Sequence, residues 1–392
     1  MRSANWSRAV LPENWQRAGF GIYVHWPFCA AKCPYCDFNS HVASVIDQDA
    51  WEQAYLAEID RYGAEFPDRI ISSVFFGGGT PSLMNPGVIG SILERVQKNW
   101  TLSNNVEITL EANPSSVETS KFHAYRSAGV NRVSIGVQAL NDSDLRALGR
   151  LHNLTEALTA IETAASVFDR TSFDLIYGRQ HQTLEAWQAE LEQALTFGPS
   201  HLSLYQLTIE DGTAFGDRFR RGRLPGLPNE DLGADMYFAT QEICESSGLN
   251  AYEVSNHAVP GQESLHNLIY WNSGDYIGVG PGAHGRLSIG KTRYATDTKL
   301  APGAWLSDAI KGCGELSRTA LSPQDRDQEF LLMGLRVSEG VDIDDLHTDC
   351  LDLEKIGEMQ GLGLVAFDGR RLRATSQGRV LLNHILREIT QT

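Results

Sequence analysis

Three cysteines with short spacing lie near the start of the chain, at Cys29, Cys33 and Cys36, in the pattern C-x3-C-x2-C. Thiolates with this spacing can converge on one metal centre from a single loop. A structural zinc ion needs four protein ligands, whereas three cysteines suit a 4Fe-4S cluster that leaves one iron open for a small molecule. The trio by itself favours the cluster and leaves zinc open. The residues that would complete a zinc site are His25, Asp37 and His41.

The composition narrows the setting of such a site. The chain has 392 residues, and its six cysteines are too few for a disulfide-rich secreted protein. The other three, Cys244, Cys313 and Cys350, are scattered and are interpreted as neutral thiols. The formal net charge of −16 argues against a nucleic-acid binder and against broad attraction to anionic lipid. The sequence shows no membrane-spanning apolar run and no signal-peptide core, so we expect a cytoplasmic protein.

Short β-rich runs alternate with amphipathic helical patterns between residues 21 and 207. The predicted strands are 22–25, 73–76, 106–111, 132–137, 171–176 and 201–207. The predicted helices between them include 51–66, 88–100, 154–168 and 183–197. Repeated strand–helix units favour a parallel sheet with helices outside. The sequence therefore predicts an α/β fold, a partial (β/α)6 barrel that resembles a TIM barrel.

The remainder of the chain follows different patterns. Residues 211–315 begin as a glycine- and proline-rich loop, form a predicted helix at 231–247, and continue into a stretch at 252–290 that we leave unassigned. From residue 316 onward, helices and a hairpin turning at Asp368-Gly369 predict a smaller α+β domain that resembles a winged helix. Because acidic residues exceed basic ones there, we interpret it as a lid or docking module. We predict an N-terminal extension (1–20), a barrel (21–210), a connecting region (211–315) and a C-terminal domain (316–392).

Chemically distinctive residues follow the ends of the predicted strands. The cysteine trio follows the first strand and the run G-G-G-T-P at 77–81 follows the second. Glu111, Gln138 and Asp174 lie at or near the ends of the next three. Parallel α/β folds place their reactive groups in loops at the carboxyl ends of strands, so all of these residues should meet at one mouth. The glycines would let backbone groups approach a ligand closely.

These pieces and their order resemble the radical S-adenosylmethionine (SAM) superfamily. The cysteine pattern, the aromatic Tyr35 inside it and the glycine run match its signatures. Longer segments are similar to the family of oxygen-independent coproporphyrinogen III dehydrogenases and their relatives, the haem chaperones of the HemW type. These segments are YVHWPFC (23–29), FGGGTPS (76–82), EANP (111–114), VNRVSIGVQ (130–138) and FDLIYG (173–178). The similarity extends from about residue 21 to 286.

The resemblance implies a role for many side chains. Cys29, Cys33 and Cys36 would hold the cluster, and SAM would chelate its open iron. The positions that would contact SAM are Tyr23, Tyr35, Gly78, Gly79, Thr80, Glu111, Gln138, Arg150 and Asp174. Glu111 and Asp174 can bond ribose hydroxyls or balance a sulfonium, and Arg150 can clamp a carboxylate. Without the resemblance, a structural ion pair at the barrel rim would explain these three residues equally well.

Two features point to the chaperone branch. The dehydrogenases have a further cysteine two residues after the third, and this position is Phe38 here. The segment HNLIYW (266–271) matches the HNxxYW motif that is linked to haem in the chaperones.

A haem site needs an axial ligand and an apolar, aromatic wall. In a helix, His266 and Tyr270 would share one face, so the imidazole could ligate iron while Tyr270 and Trp271 flank the macrocycle. The alternative is that His266 is a hydrogen-bonded structural histidine and the two aromatic residues belong to the core. The family context favours haem. His257 and His284 are weaker ligand candidates.

The resemblance implies a haem chaperone that binds haem and transfers it to acceptor haemoproteins, on a scaffold carrying a 4Fe-4S cluster and SAM. The alternative is an enzyme that decarboxylates coproporphyrinogen III propionates by radical chemistry, and a zinc-stabilised module is a third. Whether SAM is cleaved stays open. The expected partners are haem and acceptor proteins, including respiratory proteins at a membrane, which would make any membrane contact peripheral. No nucleic acid is expected, and a homodimer stays open.

Overall fold

The computed structural model describes residues 13–390, so most of the predicted N-terminal extension 1–20 lies outside the described residues. The strands of the described residues are β1 (Phe20–Trp26), β2 (Phe28–Cys29), β3 (His41–Val42), β4 (Ile70–Gly78), β5 (Thr101–Ala112), β6 (Arg132–Gln138), β7 (Arg170–Tyr177), β8 (His201–Gln206), β9 (Asn250–Ala251), β10 (Asn256–Ala258), β11 (Asp275–Val279), β12 (His284–Ile289), β13 (Thr292–Thr298), β14 (Glu315–Ala320), β15 (Val341–Asp342), β16 (Val365–Phe367) and β17 (Arg371–Ala374). Twelve of these strands form one open sheet in the order β14-β13-β12-β11-β1-β4-β5-β6-β7-β8-β10-β9.

The centre of the sheet is parallel, from β11 through β1, β4, β5, β6 and β7 to β8. This arrangement confirms the predicted α/β fold, including all six predicted strands and the open, incomplete barrel. The sequence analysis missed the seventh parallel strand, β11. Its sequence D-Y-I-G-V contains Gly278, where a Cβ would lie 2.1 Å from the His284 carbonyl oxygen, so the chain needs glycine at a position where strand propensity favours a larger residue.

Helices cover the outer face of the sheet and bury their apolar sides against it. The helices of the chain are α1 (Asn14–Ala18), α2 (Gln48–Glu65), α3 (Pro86–Asn99), α4 (Ser116–Thr119), α5 (Phe122–Ala128), α6 (Asp142–Ala147), α7 (Leu154–Val167), α8 (Leu184–Leu195), α9 (Ala214–Arg220), α10 (Glu230–Ser246), α11 (Leu265–Trp271), α12 (Pro302–Ile310), α13 (Pro323–Gly334), α14 (Leu353–Gly361), α15 (Ser376–Val380) and α16 (Leu382–Ile389). Even-numbered residues of β1, such as Ile22 and Val24, face this core, which leaves Tyr23 and His25 for the concave side.

The C-terminal part has its own hydrophobic cluster, which includes Leu331, Ile356, Leu372 and Ile385. Here β17 pairs with β15 and β16, and the predicted hairpin turn carries Gly369 at a φ of 96°. The predicted domain boundary at residue 316 falls within β14, which pairs with β13 of the main sheet. We therefore propose that the C-terminal domain begins after β14. The proposed connecting region 211–315 contributes β9 to β13 to the main sheet.

Candidate functional site

The cysteine loop lies at the carboxyl end of β1. Cys29 ends β2, which pairs with β3 so that Phe28 faces His41 and the loop between them is closed. Cys33 and Cys36 lie in that loop, where the Cys36 backbone N–H donates to the Cys33 carbonyl at 3.2 Å. All three thiols are partly buried and line one cavity of about 160 Å³, which we call the cysteine cavity. Burial raises the pKa of the Cys29 and Cys36 thiols.

The glycine run after β4 forms one wall of this cavity. Gly78 has a φ of 110°, and a Cβ there would lie 2.5 Å from the His25 ring. The Gly79 N–H donates to the Trp26 carbonyl at 2.7 Å, and the Thr80 N–H donates to the Phe28 carbonyl at 2.8 Å. The run is therefore pressed against the strand that leads into the cysteine loop, in a conformation that only glycine adopts easily at position 78.

Glu111 on β5 and Asp174 on β7 lie where the cysteine cavity meets a second cavity, and they line both. Burial, and then the charge of Asp174, raise the pKa of Glu111 to about 8, while a hydrogen bond from the Gly78 N–H opposes the rise. Burial raises the pKa of Asp174 to about 6 against hydrogen bonds from Ser203 and Ser134. Two buried carboxyl groups with raised pKa values in a cavity are typical of a binding or catalytic site.

Gln138 and Arg150 complete the lining of the cysteine cavity. Gln138 ends β6 with a φ of 71°, a strained conformation for a residue that is not glycine. The Arg150 guanidinium donates to the Gly136 carbonyl at 2.8 Å, to the Asn113 side chain, and to Cys33 Sγ at 3.5 Å. Within residues 13–390, Arg150 forms no ion pair with Glu111 or Asp174. The rim ion pair considered above is therefore not formed.

The second cavity, of about 430 Å³, lies inside the concave face of the sheet, and we call it the histidine cavity. The HNxxYW segment, which the sequence analysis left unassigned, forms the helix α11, which is part of the cavity wall and packs on β4, β1 and β11. Ser264 caps this helix by accepting from the Asn267 N–H, and the His266 N–H donates to Glu107 at 3.3 Å. The two cavities share Phe38, Gly78, Glu111, Ser134 and Asp174.

His266 is buried in an aromatic stack on this wall. Its ring lies 4.1 Å from that of Phe75 and 4.3 Å from that of Tyr270, measured between centroids. Nδ1 is buried, and neither ring nitrogen forms a hydrogen bond with any of residues 13–390. Burial, and then Arg132, lower the pKa of His266 to about 3, so the imidazole is neutral. The described residues supply no hydrogen-bond partner for the alternative of a hydrogen-bonded structural histidine, and an unpartnered neutral imidazole on a cavity wall fits an iron ligand.

The candidates for a fourth zinc ligand have other partners or positions. His25 receives a hydrogen bond from the Tyr23 hydroxyl at Nδ1 (2.9 Å) and donates from Nε2 to the Asn39 carbonyl (3.0 Å), so both ring nitrogens are used. His41 Nε2 lies 3.1 Å from the side-chain oxygen of Asn39. In the described part of the chain, no three His, Cys, Asp or Glu side chains are already arranged to hold a metal ion, the cysteine trio included, so the assignment of a cluster to the trio depends on its spacing and on the cavity that it lines.

Three other predicted residues lie apart from the group to which they were assigned, and a fourth lies at the edge of its group. Tyr23, expected beside SAM, lines the histidine cavity. Trp271 lies outside the lining of that cavity, with the Arg336 guanidinium 5.7 Å from its ring centroid. His257 is buried in β10 away from both cavities, and His284 lies at the rim of the histidine cavity, 2.6 Å from Asp297.

Sequence reasoning missed five polar residues on the concave face: Arg132, Ser134, His201, Ser203 and Tyr205. The signal was present, because R-V-S-I-G-V-Q in β6 and H-L-S-L-Y in β8 alternate polar and apolar residues. This alternation places the polar side chains on one face of each strand. His201 is held by Ser172 at Nδ1 (2.8 Å) and by Tyr252 at Nε2 (2.9 Å), so it differs from His266 in having both nitrogens occupied.

A family model described as Radical SAM superfamily matches residues 23–194, and one described as HemN C-terminal domain matches residues 321–381. The structure of coproporphyrinogen III oxidase (HemN) from Escherichia coli, described as a radical SAM enzyme, superposes with a TM-score of 0.78 over 94% of this chain and 89% of that chain. Their sequence identity is 23%, so this similarity concerns the fold.

The open parallel sheet, the cysteine loop and the glycine run define a radical SAM protein, a class built around a 4Fe-4S cluster and SAM. The bovine (Bos taurus) mitochondrial radical S-adenosyl methionine domain-containing protein 1 is 38% identical over 390 residues, covering 95% of this chain and 87% of that protein. Heme chaperone HemW of Escherichia coli (strain K12) is 41% identical over 280 residues, covering 71% and 73%. HemW of Mycobacterium tuberculosis (strain CDC 1551 / Oshkosh) is 34% identical over 380 residues, covering 94% of each. The chain belongs to this HemW family.

Within the described residues, no helix has the length and apolar character needed to cross a membrane.

Proposed function

We propose that this protein binds haem in the histidine cavity and transfers it to acceptor haemoproteins. The observation that carries the proposal is His266, a buried neutral imidazole without a hydrogen-bond partner, held between aromatic rings on the wall of a cavity. A histidine free of hydrogen bonds can ligate iron without first losing another bond. Tyr270 and Phe75 supply the aromatic wall that a macrocycle needs. The cavity volume of about 430 Å³ lies within the range of small-molecule sites.

The cysteine cavity is proposed to hold the cluster and SAM. Cys29, Cys33 and Cys36 would ligate the cluster, since all three thiols face one cavity. When bound and reduced, a SAM-ligated cluster supplies SAM cleavage to methionine and a 5′-deoxyadenosyl radical in this superfamily. The residues proposed to bind SAM are Tyr35, Gly78, Gly79, Thr80, Glu111, Gln138, Arg150 and Asp174, which all line this cavity, together with Tyr23 from the neighbouring one.

Glu111 and Asp174 would connect the two ligands, because both carboxyl groups line both cavities. A cationic sulfonium on one side favours their ionised forms, and the ionised carboxylates would in turn alter the field around haem on the other. We propose that SAM binding is coupled to haem binding or release through this shared wall. Unchanged haem transfer without cluster and without SAM would refute this coupling.

The expected acceptors are haemoproteins, including respiratory proteins at a membrane, and contact with a membrane would then be peripheral. A homodimer is compatible with this proposal. The competing function is radical decarboxylation of coproporphyrinogen III. Phe38 lines both cavities where the dehydrogenases have their additional cysteine, and this argues against that function.

The test is anaerobic reconstitution followed by two assays on one preparation. The first titrates haem into the wild type, His266→Ala and the control His284→Ala, and follows the Soret band. His284 also lines the histidine cavity but lies at its rim, where Asp297 holds its ring. We expect saturable binding in the wild type and in His284→Ala, weaker binding with a shifted Soret band in His266→Ala, and haem transfer to an apo-haemoprotein only from protein that binds it.

The second assay incubates the same preparation with coproporphyrinogen III, SAM and a reductant. Formation of protoporphyrinogen would establish the dehydrogenase function and overturn the chaperone proposal. Equal haem binding by the wild type and His266→Ala would show that His266 is not the ligand.

A further inference from the structure

Arg132 is a buried cation on the concave face of the sheet. It begins β6, its side chain is 3% exposed, and it lines the histidine cavity. A guanidinium carries five N–H donors and stays charged in proteins. Within residues 13–390, this guanidinium forms no hydrogen bond, and its only ion-pair contact is Glu107 Oε2 at 3.9 Å from Nε. A buried charge without hydrogen bonds is costly, so such a group is expected to have a partner that the protein alone does not supply.

Glu107 does not provide that partner. Its Oε1 accepts from Ser264 Oγ at 3.4 Å and from the His266 N–H at 3.3 Å. Its Oε2 forms an ion pair with Arg170 Nη1 at 2.8 Å but has no hydrogen-bond partner within residues 13–390. The distance of 3.9 Å to Arg132 exceeds that of a hydrogen bond. Oε1 of Glu107 therefore fixes the start of α11, and Oε2 attracts Arg132 by its charge without forming a hydrogen bond to it.

The other carboxyl groups of the cavity do not engage Arg132 either. Glu111 and Asp174 lie close enough for its charge to favour their ionised forms, but the hydrogen bonds of their carboxyl groups come from Gly78, Ser134 and Ser203. Among the described residues that line the histidine cavity, Arg132 is the one lysine or arginine. The cavity thus offers a single strong, unused donor for an anionic group.

We propose that Arg132 binds a carboxylate of the ligand in the histidine cavity, and that this carboxylate is a haem propionate. This inference rests on the proposed haem function and adds to it the orientation of the macrocycle. The planar guanidinium can bind a carboxylate through two parallel N–H···O bonds. Both propionates of haem lie on one edge of the ring, so this contact directs that edge toward β6. The other carboxylate source is the methionyl group of SAM, but Arg132 lies outside the lining of the cysteine cavity.

The experiment compares haem with its dimethyl ester, in which the propionates carry no charge, in one buffer with non-ionic detergent. The proteins are the wild type, Arg132→Met and Arg132→Lys, with SAM affinity measured in parallel. We expect the wild type to bind haem at least about 10-fold more tightly than the ester, a difference of ~1.4 kcal/mol. Arg132→Met should bind both with the affinity that the wild type shows for the ester. Arg132→Lys should restore part of the preference, and SAM affinity should not change in Arg132→Lys, which keeps the charge that favours ionised Glu111 and Asp174.

The results of this experiment separate the role of Arg132 from the proposed haem function. One result is that the wild type binds haem through His266 and yet binds haem and its dimethyl ester equally tightly. This result overturns the role of Arg132 and leaves the proposed function intact. A loss of SAM affinity in both Arg132→Met and Arg132→Lys, with unchanged haem affinity, assigns the carboxylate to SAM and overturns the propionate. Absence of haem binding by the wild type overturns both proposals. If Arg132→Met fails to fold, the comparison of haem and ester on the wild type decides.

Discussion

Replacing His266 with phenylalanine should stabilise the ligand-free protein while removing its proposed haem ligand. The ring is buried and stacked on Phe75, so a phenylalanine ring can occupy a similar place. The unpartnered Nδ1 destabilises the folded state, since a buried polar group without a partner costs about 1–3 kcal/mol. We therefore expect His266→Phe to raise the free energy of unfolding by about 1–2 kcal/mol at pH 7.5.

The gain should grow on acidification. The folded state lowers the pKa of His266 to about 3, whereas an unfolded histidine titrates near ~6.5. Below pH 6.5 the unfolded state therefore binds a proton that the folded state does not, and the wild type loses stability as the pH falls. Between pH 7.5 and pH 5.5 this loss is about 1.4 kcal/mol, from ~1.36 kcal/mol for each pKa unit. His266→Phe lacks this titration, so its advantage over the wild type should increase by that amount.

The assay is urea unfolding of the ligand-free proteins at both pH values, followed by tryptophan fluorescence. The control is Tyr270→Phe, which keeps the ring beside His266 and removes a hydroxyl whose pKa burial raises well above its usual value. The control should follow the pH dependence of the wild type. If the gain in the free energy of unfolding of His266→Phe over the wild type is the same at both pH values, the interpretation of His266 as a neutral buried imidazole is wrong.

Three further predictions concern the cysteine cavity. Cys29→Ser should lose the iron, the sulfide and the visible absorption of the reconstituted protein, whereas Cys313→Ser, at an exposed thiol, should keep them. Gly78→Ala should lower the free energy of unfolding by about 1–3 kcal/mol and weaken SAM binding, because alanine is strained at the φ of 110° that Gly78 adopts. Its control is Gly357→Ala, inside α14 with open space at its Cβ. In the same urea titration this control should raise the free energy of unfolding by about 0.5–1 kcal/mol. SAM affinity, measured by isothermal calorimetry, should rise with pH toward about 8 as Glu111 ionises opposite the sulfonium, and Glu111→Gln should remove this rise.

Much of the fold could be predicted because its signals are local. Six strands and the helices between them follow from hydrophobic periodicity, and the residues at the strand ends follow from the geometry of parallel sheets. β11 and its antiparallel neighbours were missed because close contacts with the adjacent strands require glycine at positions such as Gly278 and Gly285, where strand propensity favours larger residues. A helix around His266 was considered only as a condition for a haem site, and its position across the concave face depends on β11 joining the sheet beside β1.

In the candidate site, too, some residues could be predicted from local sequence patterns, whereas others depend on contacts between separate segments. The glycine run and the cysteines were identified from spacing, and the three cysteines line one cavity together with Gly78 and Gly79. The lack of hydrogen bonds at His266 and at Arg132 could not be predicted, because it depends on what surrounding segments do not supply. The position of Trp271 beside Arg336 was likewise inaccessible, since it arises from the packing of α11 against the C-terminal domain.

The pairing of β1 with β11 determines when this protein can complete the parallel part of its sheet during synthesis. Phe20 pairs with Asp275, so one edge of the strand that leads into the cysteine loop has no neighbour until most of the chain has left the ribosome. At ~5–20 residues per second, this interval lasts roughly ten seconds to one minute. During that time the thiols and the unpaired strand edge are accessible together, which favours cluster assembly and also aggregation. We expect the nascent chain to need protection until Val279 has emerged, and arrest of translation before this residue should yield chains that aggregate more readily than chains arrested after it.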